Sequence, residues 1–297
     1  MGLDPQIKRF LDRLAAMNPP SALALSVSQR RSAIESLLSL GGEKGPVAHV
    51  EERLLPIPGG RVGIRIYTPM DPEPLPAAFV FFHGGGLVAG SLDTHDGICR
   101  SLARAGRCRV ISVDYPLAPE HPFPAALSAG YAATQWIAEH PQLLQIDPHR
   151  LIIGGDSAGA TLAAVICQMA TTRKEVRFAL QVLLCPIVDF SASTPSRCEF
   201  AQGYLVDEAT LAHDVKHYLG PDALATDPRV SPGRAADVAD LPPTCIHTAE
   251  FDPLRDEGKA YAERLQQAGV KTTYRCHSGM IHLFYGMGAL IPSVARA

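Results

Sequence analysis

The segment from Leu151 to Gly159 constrains the fold more than any other part of the sequence. It consists of a short apolar run, then Ser157 between Gly155 and Gly159, and then small apolar residues: LIIGGDSAG. The apolar run predicts a buried strand, and the residues after the serine predict a helix. A G-x-S-x-G motif between a strand and a helix is typical of a sharp turn that exposes a serine above an α/β sheet. The flanking glycines fit this interpretation because residues packed against such a turn must be small.

Strands and helices alternate through most of the chain, which predicts a mostly parallel sheet with helices on both faces. A hairpin around Pro58-Gly59-Gly60 opens this body, which we assign to residues 46–188 and 241–297. The last strand is expected from Thr272 to Cys276, followed by a terminal helix.

Two segments fall outside the alternation. Residues 1–45 predict two helices, and their apolar faces are consistent either with simple packing on the body or with part of a lid. In residues 189–240 the alternation lapses, apart from a helix predicted from about Asp207 to Leu219. An insertion of this length between two core strands is typical of a lid, so we interpret both segments as a cap.

Composition excludes several classes of function. The net charge of −3 over 297 residues does not indicate binding to nucleic acid or to an anionic membrane surface. The N-terminal segment MGLDPQIKRF is too polar for a signal peptide, and no apolar run is long enough to span a bilayer. We therefore expect a cytoplasmic protein without integral membrane association. The seven scattered cysteines lack C-x-x-C spacing, which favours reduced thiols over a disulfide framework or a metal site.

Three glycines follow the apolar strand AAFVFFH. Gly84, Gly85 and Gly86 can aim backbone N–H groups at one point, because no Cβ stands in the way. The spacing does not match a phosphate-binding loop. It fits an oxyanion hole of the HGGG type, to which Ala158, the residue after Ser157, would add a further N–H. His83 is expected to shape this loop rather than to carry a proton.

A serine hydroxyl is a weak nucleophile and needs a base that is oriented by an acid. In this fold the acid and then the base follow the serine along the chain. Glu250 and Asp252 both follow the strand TCIHT, and Asp252 is favoured because it lies just beyond the strand. Asp256 and Glu257 fall in the next helix, where they predict first-turn charges.

His277 and His282 compete as the base. His277 directly ends the last predicted strand, whereas His282 has more loop behind it and is favoured on position. His247 lies inside a strand, which is typical of a core histidine. Asp156, next to the serine, is expected to support the sharp turn around Ser157 by hydrogen bonds rather than to act as a second acid.

Several motifs together resemble one known family. They are HGGG at 83–86, YPLAPEHPFPAAL at 115–127, GDSAG at 155–159, DPRVSP at 227–232, DPLRDEG at 252–258 and GMIH at 279–282. In this order and spacing they are similar to the hormone-sensitive-lipase family (bacterial family IV) of α/β-hydrolase esterases, over nearly the whole chain.

The resemblance implies an α/β-hydrolase fold with about eight strands and a helical cap. It implies a serine carboxylesterase acting on short- to medium-chain acyl esters, with Ser157 as nucleophile, Asp252 as acid and His282 as base. No metal or organic cofactor is needed for that chemistry. The expected partner is a small-molecule ester, and a homodimer is expected by analogy with relatives.

The chain departs from the family pattern at Leu87, Pro116 and Leu283, where the family usually has an aromatic residue, Arg and Gly. No catalytic atom is lost, but Leu87 and Leu283 are candidate pocket residues that affect substrate choice. Two other functions stay open: an amidase or arylformamidase with the same triad, and a non-catalytic small-molecule receptor of this fold. The presence of His282 counts against the receptor.

Overall fold

The computed structural model describes residues 2–41, 45–220, 223–288 and 291. Within these residues, eight strands form a single sheet. The strands are β1 (His49–Ile57), β2 (Gly60–Thr68), β3 (Ala78–Phe82), β4 (Arg109–Asp114), β5 (Leu151–Asp156), β6 (Leu180–Leu184), β7 (Thr244–Phe251) and β8 (Thr272–Ile281).

The sheet is mostly parallel, as predicted. Its strand order is β1-β2-β4-β3-β5-β6-β7-β8. The predicted hairpin is present, with Ile57 opposite Gly60, and β2 pairs antiparallel with β4. From β4 to β8 every neighbouring pair is parallel. The carboxyl ends of these strands therefore lie at one edge, where the loops that carry Ser157, Asp252 and His282 begin.

Nine α-helices flank the sheet or cover its edge in the described part of the chain. They are α1 (Pro5–Ala16), α2 (Val27–Ser39), α3 (Asp96–Gly106), α4 (Ala125–Glu139), α5 (Pro141–Leu144), α6 (Ala158–Arg173), α7 (Pro195–Glu199), α8 (Glu208–Leu219) and α9 (Arg255–Gln267). The sequence interpretation did not include α3. Its signal was present, since Ile98, Cys99 and Leu102 recur at helical spacing between arginines.

The centre of the sheet fixes the position of the turn at Ser157. Every residue of β3 is buried, and α6 is buried along most of its length. Because β5 lies between β3 and β6, the turn that leads from β5 into α6 is held by the most densely packed part of the body. A reactive group placed here has little freedom to move.

The helices of the two cap segments have clear starts. Asp4 accepts hydrogen bonds from the Gln6 and Ile7 N–H groups at the start of α1, and Ser26 forms a capping box with Gln29 at α2. In the insertion, Asp207 caps α8. The assignment of residues 1–45 and 189–240 to a cap stays a prediction, and residues 42–44 and 221–222 lie outside the described residues.

The end of the chain differs from the sequence prediction. β8 continues five residues beyond Cys276 to Ile281, so that it reaches the residue before His282. A short 3₁₀ turn at Phe284–Gly286 follows. The predicted terminal helix falls largely on residues outside those described.

Two further observations concern the chain as a whole. No helix among the described residues is long and apolar enough to cross a membrane. All seven cysteines lie in the described ranges and are free thiols.

Candidate active site

Ser157 occupies a strained turn between β5 and α6. Its backbone has φ 52° and ψ −124°, a conformation that residues other than glycine rarely adopt. The two flanking glycines are required by close packing. A Cβ on Gly155 would lie 2.3 Å from the Phe82 carbonyl oxygen, and one on Gly159 would lie 2.2 Å from the same atom. The turn predicted from G-x-S-x-G is therefore present, and only residues without a side chain fit beside it.

His282 and Asp252 complete a continuous hydrogen-bonded chain with this serine. His282 Nδ1 donates to Asp252 Oδ2 at 2.8 Å, and Ser157 Oγ lies 3.0 Å from His282 Nε2. The other carboxylate oxygen of Asp252 accepts the Leu254 N–H at 2.9 Å. Since Nδ1 donates to the carboxylate, Nε2 is left to accept the serine proton. His282 and Asp252 are almost fully buried.

The competing residues lie elsewhere. Glu250 accepts the Gly279 N–H at 2.7 Å and so joins β7 to β8. His277 lies within β8, and its Nε2 is 2.9 Å from Nδ1 of His247. Burial lowers the pKa of His247. Both histidines therefore belong to a pair on the sheet, and the structure brings neither of them to Ser157.

The glycine loop lies beside the turn. Gly85 and Gly86 have φ 114° and 69°, values that favour glycine. The Gly84 N–H donates to Asp156 Oδ1 at 2.9 Å, so this N–H is already engaged within the protein. Ala158 begins α6, where N–H groups and the helix dipole favour a negative charge. The backbone groups predicted for an oxyanion hole are thus gathered around Ser157.

Comparison with known proteins agrees with this geometry. Residues 79–286 match the family model described as the alpha/beta hydrolase fold. The esterase LipI of Mycobacterium tuberculosis is 41% identical over 255 residues, which cover 85% of this chain and 80% of that protein. Ethyl acetate hydrolase of Pseudomonas putida is 35% identical over 300 residues, which cover 98% of this chain and 94% of that protein.

The chain belongs to the hormone-sensitive-lipase family of α/β-hydrolase esterases. It is a carboxylic ester hydrolase. Solved structures agree in detail. One is an α/β-hydrolase enzyme from the metagenome of Lake Arreo, Spain, which is 38% identical and matches with a TM-score of 0.95. The match covers 99% of this chain and 94% of that one. An esterase of Pyrobaculum calidifontis matches with a TM-score of 0.90 at 37% identity, over 99% of this chain and 95% of that one.

In this hydrolase a buried polar network supports the glycine loop. Besides the Gly84 N–H, Asp156 accepts hydrogen bonds at Oδ2 from His95 Nε2 at 3.3 Å and from the Tyr285 hydroxyl at 3.2 Å. Burial alone would raise the pKa of Asp156, but the neighbouring His95 holds it below its ordinary value. Asp156 thus supports structure by hydrogen bonds, but its partners are the glycine loop, His95 and Tyr285, and not the turn around Ser157 that the sequence interpretation named.

His83 also has a structural place. Its Nδ1 donates to the Gly84 carbonyl at 2.8 Å, and the Tyr115 hydroxyl donates to the His83 carbonyl at 2.6 Å. Complete burial, with the nearby His95, lowers the pKa of His83 to about 3. His83 is therefore neutral at physiological pH and cannot serve as a proton carrier there, as the sequence interpretation expected.

A small cavity of about 40 Å³ opens above Ser157 and His282. Leu283 is among the residues that line it. Leu87, the other candidate pocket residue, is packed into the main core with 1% exposure and φ 61°, and its carbonyl accepts the Ala118 N–H. Leu87 therefore packs into the core after the glycine loop and is not among the residues that line this cavity.

Arg30, Asp214 and Arg197 line this cavity, and each belongs to an ion pair that sequence reasoning missed. Arg30 of α2 pairs with Asp214 of α8 at 2.9 Å. Arg197 of α7 pairs with Glu257 at 2.7 Å. Glu257 lies in the first turn of α9 as predicted, yet it is buried and also accepts the Val188 N–H at 2.9 Å. No sequence signal links these partners, because they lie 60 and 184 residues apart.

Two of the three residues in this hydrogen-bonded chain also belong to the one group with metal-ligand chemistry in the described part of the protein. Donor atoms of Cys185, Asp252 and His282 lie within 4.8 Å of one another. Burial and the adjacent Asp252 raise the pKa of the Cys185 thiol well above its ordinary value. A neutral thiol is a poor metal ligand, and both other members are already hydrogen-bonded to each other. The group therefore fits a metal poorly.

Proposed function

We propose that this protein is a serine carboxylesterase that uses Ser157 as nucleophile, His282 as general base and Asp252 as the orienting acid. The observation that carries the proposal is the pair of short contacts from Ser157 Oγ to His282 Nε2, 3.0 Å, and from His282 Nδ1 to Asp252 Oδ2, 2.8 Å. The strained backbone at Ser157 supports the same role, because strain of this kind is concentrated at functional sites.

The reaction proceeds in two halves. Ser157 Oγ attacks the ester carbonyl carbon while His282 Nε2 accepts the hydroxyl proton. The tetrahedral intermediate collapses to an acyl-enzyme, and His282 returns the proton to the leaving alcohol. A water molecule then attacks the acyl carbon while His282 takes its proton, and His282 returns that proton to Ser157 Oγ as the bond to the acyl group breaks and the acid is released. Asp252 holds the imidazole in the required tautomer and stabilises its charged form.

The oxyanion is stabilised by N–H groups of Gly85, Gly86 and Ala158. The Gly84 N–H is engaged by Asp156, so we assign Gly84 to holding the loop and the other three residues to binding the oxyanion. Each such donor is worth on the order of a hundredfold to a thousandfold in rate in comparable enzymes.

The cavity favours the short end of the proposed range of acyl groups. Its volume of about 40 Å³ corresponds to roughly three water molecules, at about 10–15 Å³ each. A relative named for ethyl acetate hydrolysis supports this preference. We therefore expect kcat/KM to be highest for acetyl to butyryl esters and to fall with longer chains.

The test is hydrolysis of 4-nitrophenyl butyrate by the Ser157→Ala variant. We expect kcat to fall by at least about a thousandfold, because the covalent route is removed. Ser101→Ala, an exposed serine of α3, is the matched control and should retain full activity. Near-complete activity in Ser157→Ala would contradict the proposal.

A further inference from the structure

We propose that Asp214, held by Arg30, determines substrate selectivity by excluding esters whose acyl group carries a negative charge. The inference rests on the proposed function, because it concerns the cavity above the proposed nucleophile. The two residues belong to different cap segments, α2 and α8, and they meet directly over the glycine loop.

The contact between the two side chains is bidentate. Arg30 Nη2 donates to Asp214 Oδ2 at 2.9 Å, and Arg30 Nε donates to Oδ1 at 3.3 Å. His213 Nδ1 donates to Oδ1 as well, at 3.0 Å. The paired side chains are only 11% and 7% exposed. The carboxylate is therefore fixed in one orientation by donors on its outer side.

The carboxylate is also very close to the glycine loop. A Cβ built on Gly86 would lie 1.9 Å from Asp214 Oδ2, so only a glycine fits at this position opposite Asp214. Both Arg30 and Asp214 line the cavity that contains Ser157 and His282. An acyl group bound in this cavity consequently lies near a negative charge.

The two arginines in the cavity wall, Arg30 and Arg197, do not offset the negative charge of Asp214 for an anionic substrate. The Arg30 fork is occupied by Asp214, and Arg197 donates to Glu257 and to the Asp189 carbonyl. A second carboxylate in the cavity would face Asp214, while Nε and Nη2 of Arg30 are already taken by that residue, and like charges placed together in a buried site disfavour binding. A neutral acyl group incurs no such cost.

The experiment compares two alkyl esters of similar length, neutral ethyl pentanoate and anionic monoethyl succinate, by the ethanol released, because an alkyl leaving group keeps the succinate carboxylate from cleaving its own ester. For the wild-type protein we expect kcat/KM to favour the pentanoate by on the order of a hundredfold. Asp214→Asn removes the negative charge and leaves the Arg30 cation. The ratio of kcat/KM for the neutral ester to kcat/KM for the anionic ester should therefore fall by at least about tenfold.

Two further variants keep the result interpretable. The Arg30→Gln/Asp214→Asn double variant removes both charges, so it should also narrow the preference, but by less than Asp214→Asn, and it provides the comparison if the single variant does not fold. Glu120→Gln is the matched control: Glu120 pairs with Arg31, the neighbour of Arg30 on α2, and its half-exposed side chain lies on the surface. Glu120→Gln should leave the ratio of kcat/KM for the two esters unchanged.

An unchanged preference in both Asp214 variants would overturn the inference and would assign the ion pair to cap stability alone. A wild-type protein that hydrolyses both esters equally would overturn it too. If the wild-type protein hydrolyses neither ester, the proposed function itself fails, and the inference fails with it.

Discussion

The backbone N–H of Gly84 donates to the Asp156 carboxylate at 2.9 Å, and this bond joins the glycine loop to the turn that presents Ser157. The two segments lie 72 residues apart in the sequence. Asp156 directly precedes the serine, so one side chain sets the distance between the proposed nucleophile and the proposed oxyanion donors. His95 and Tyr285 hold the other oxygen of the same carboxylate.

Replacing Asp156 should therefore impair the chemical step more than substrate binding. In Asp156→Ala the buried Gly84 N–H loses its acceptor, and we expect kcat to fall about tenfold to a hundredfold with KM nearly unchanged. Asp156→Asn keeps an oxygen that can accept the Gly84 N–H, so its kcat should fall less than that of Asp156→Ala. Asp12→Asn, an exposed surface change on α1, is the control. A rise in KM at constant kcat would show that Asp156 acts on binding instead.

Gly86→Ala should almost abolish activity. The added Cβ would meet Asp214 at 1.9 Å, and φ 69° is strained for alanine. The loop must shift, and a displaced donor costs on the order of a hundredfold in kcat. Gly60→Ala is the matched control, because a Cβ there meets no atom within 4 Å. Steady-state kinetics on 4-nitrophenyl butyrate checks both variants, and equal activity of the two would contradict the role assigned to Gly86.

Because the pKa of the buried His83 is lowered, we expect the stability of the protein to depend on pH. The unfolded chain binds a proton at His83 below the ordinary pKa of 6.5, whereas the folded protein resists this protonation down to a pKa of about 3. The unfolded state thus binds more protons between these values, so stability is lost as the pH falls through this window.

Between pH 7 and pH 4.5 this histidine should remove about 2–3 kcal/mol of the free energy of unfolding. Urea denaturation at both pH values measures the difference. His83→Asn should show a smaller loss than the wild-type protein, whereas His149→Asn, at an exposed position, should behave as the wild type does. An equal pH dependence in wild type and His83→Asn would be evidence against a neutral, buried His83.

The Arg197–Glu257 pair joins residues 189–240 to the body and should contribute to the free energy of unfolding. Arg197→Ala removes the cation beside Glu257, whose pKa burial already raises to about 7, so the carboxyl can take up a proton and the loss should be about 1–3 kcal/mol of the free energy of unfolding. Lys259→Ala breaks an exposed pair on the same helix, α9, and should cost less than about 0.5 kcal/mol. Chemical denaturation distinguishes them, and a loss below 1 kcal/mol for Arg197→Ala would refute a buried, charged pair.

Much of the fold and the candidate site was predictable because both depend on local patterns. The apolar runs indicated the strands, and the G-x-S-x-G turn, the HGGG loop and the chain order of acid and base indicated the site. The choice between His277 and His282 was harder. It depends on where β8 ends, and the strand continues to Ile281, which keeps His277 in the sheet beside His247.

The cavity wall was not predictable for a physical reason. Arg30 and Asp214 lie on two helices that pack together only in the folded chain, and neither residue has a distinctive sequence neighbourhood. The place of Leu87 was not predictable either. Its position after the glycines suggested the cavity, whereas its side chain is packed into the main core.

The most direct measurement for the central claim is covalent labelling with diethyl 4-nitrophenyl phosphate, followed by mass spectrometry. An activated serine should displace nitrophenol and retain the diethyl phosphoryl group. We predict that the wild-type protein gains one such group, on the peptide that contains Ser157, and that Ser157→Ala gains none. The absence of an adduct on the wild-type protein, or an adduct on another residue, would contradict the assignment of Ser157 as the nucleophile.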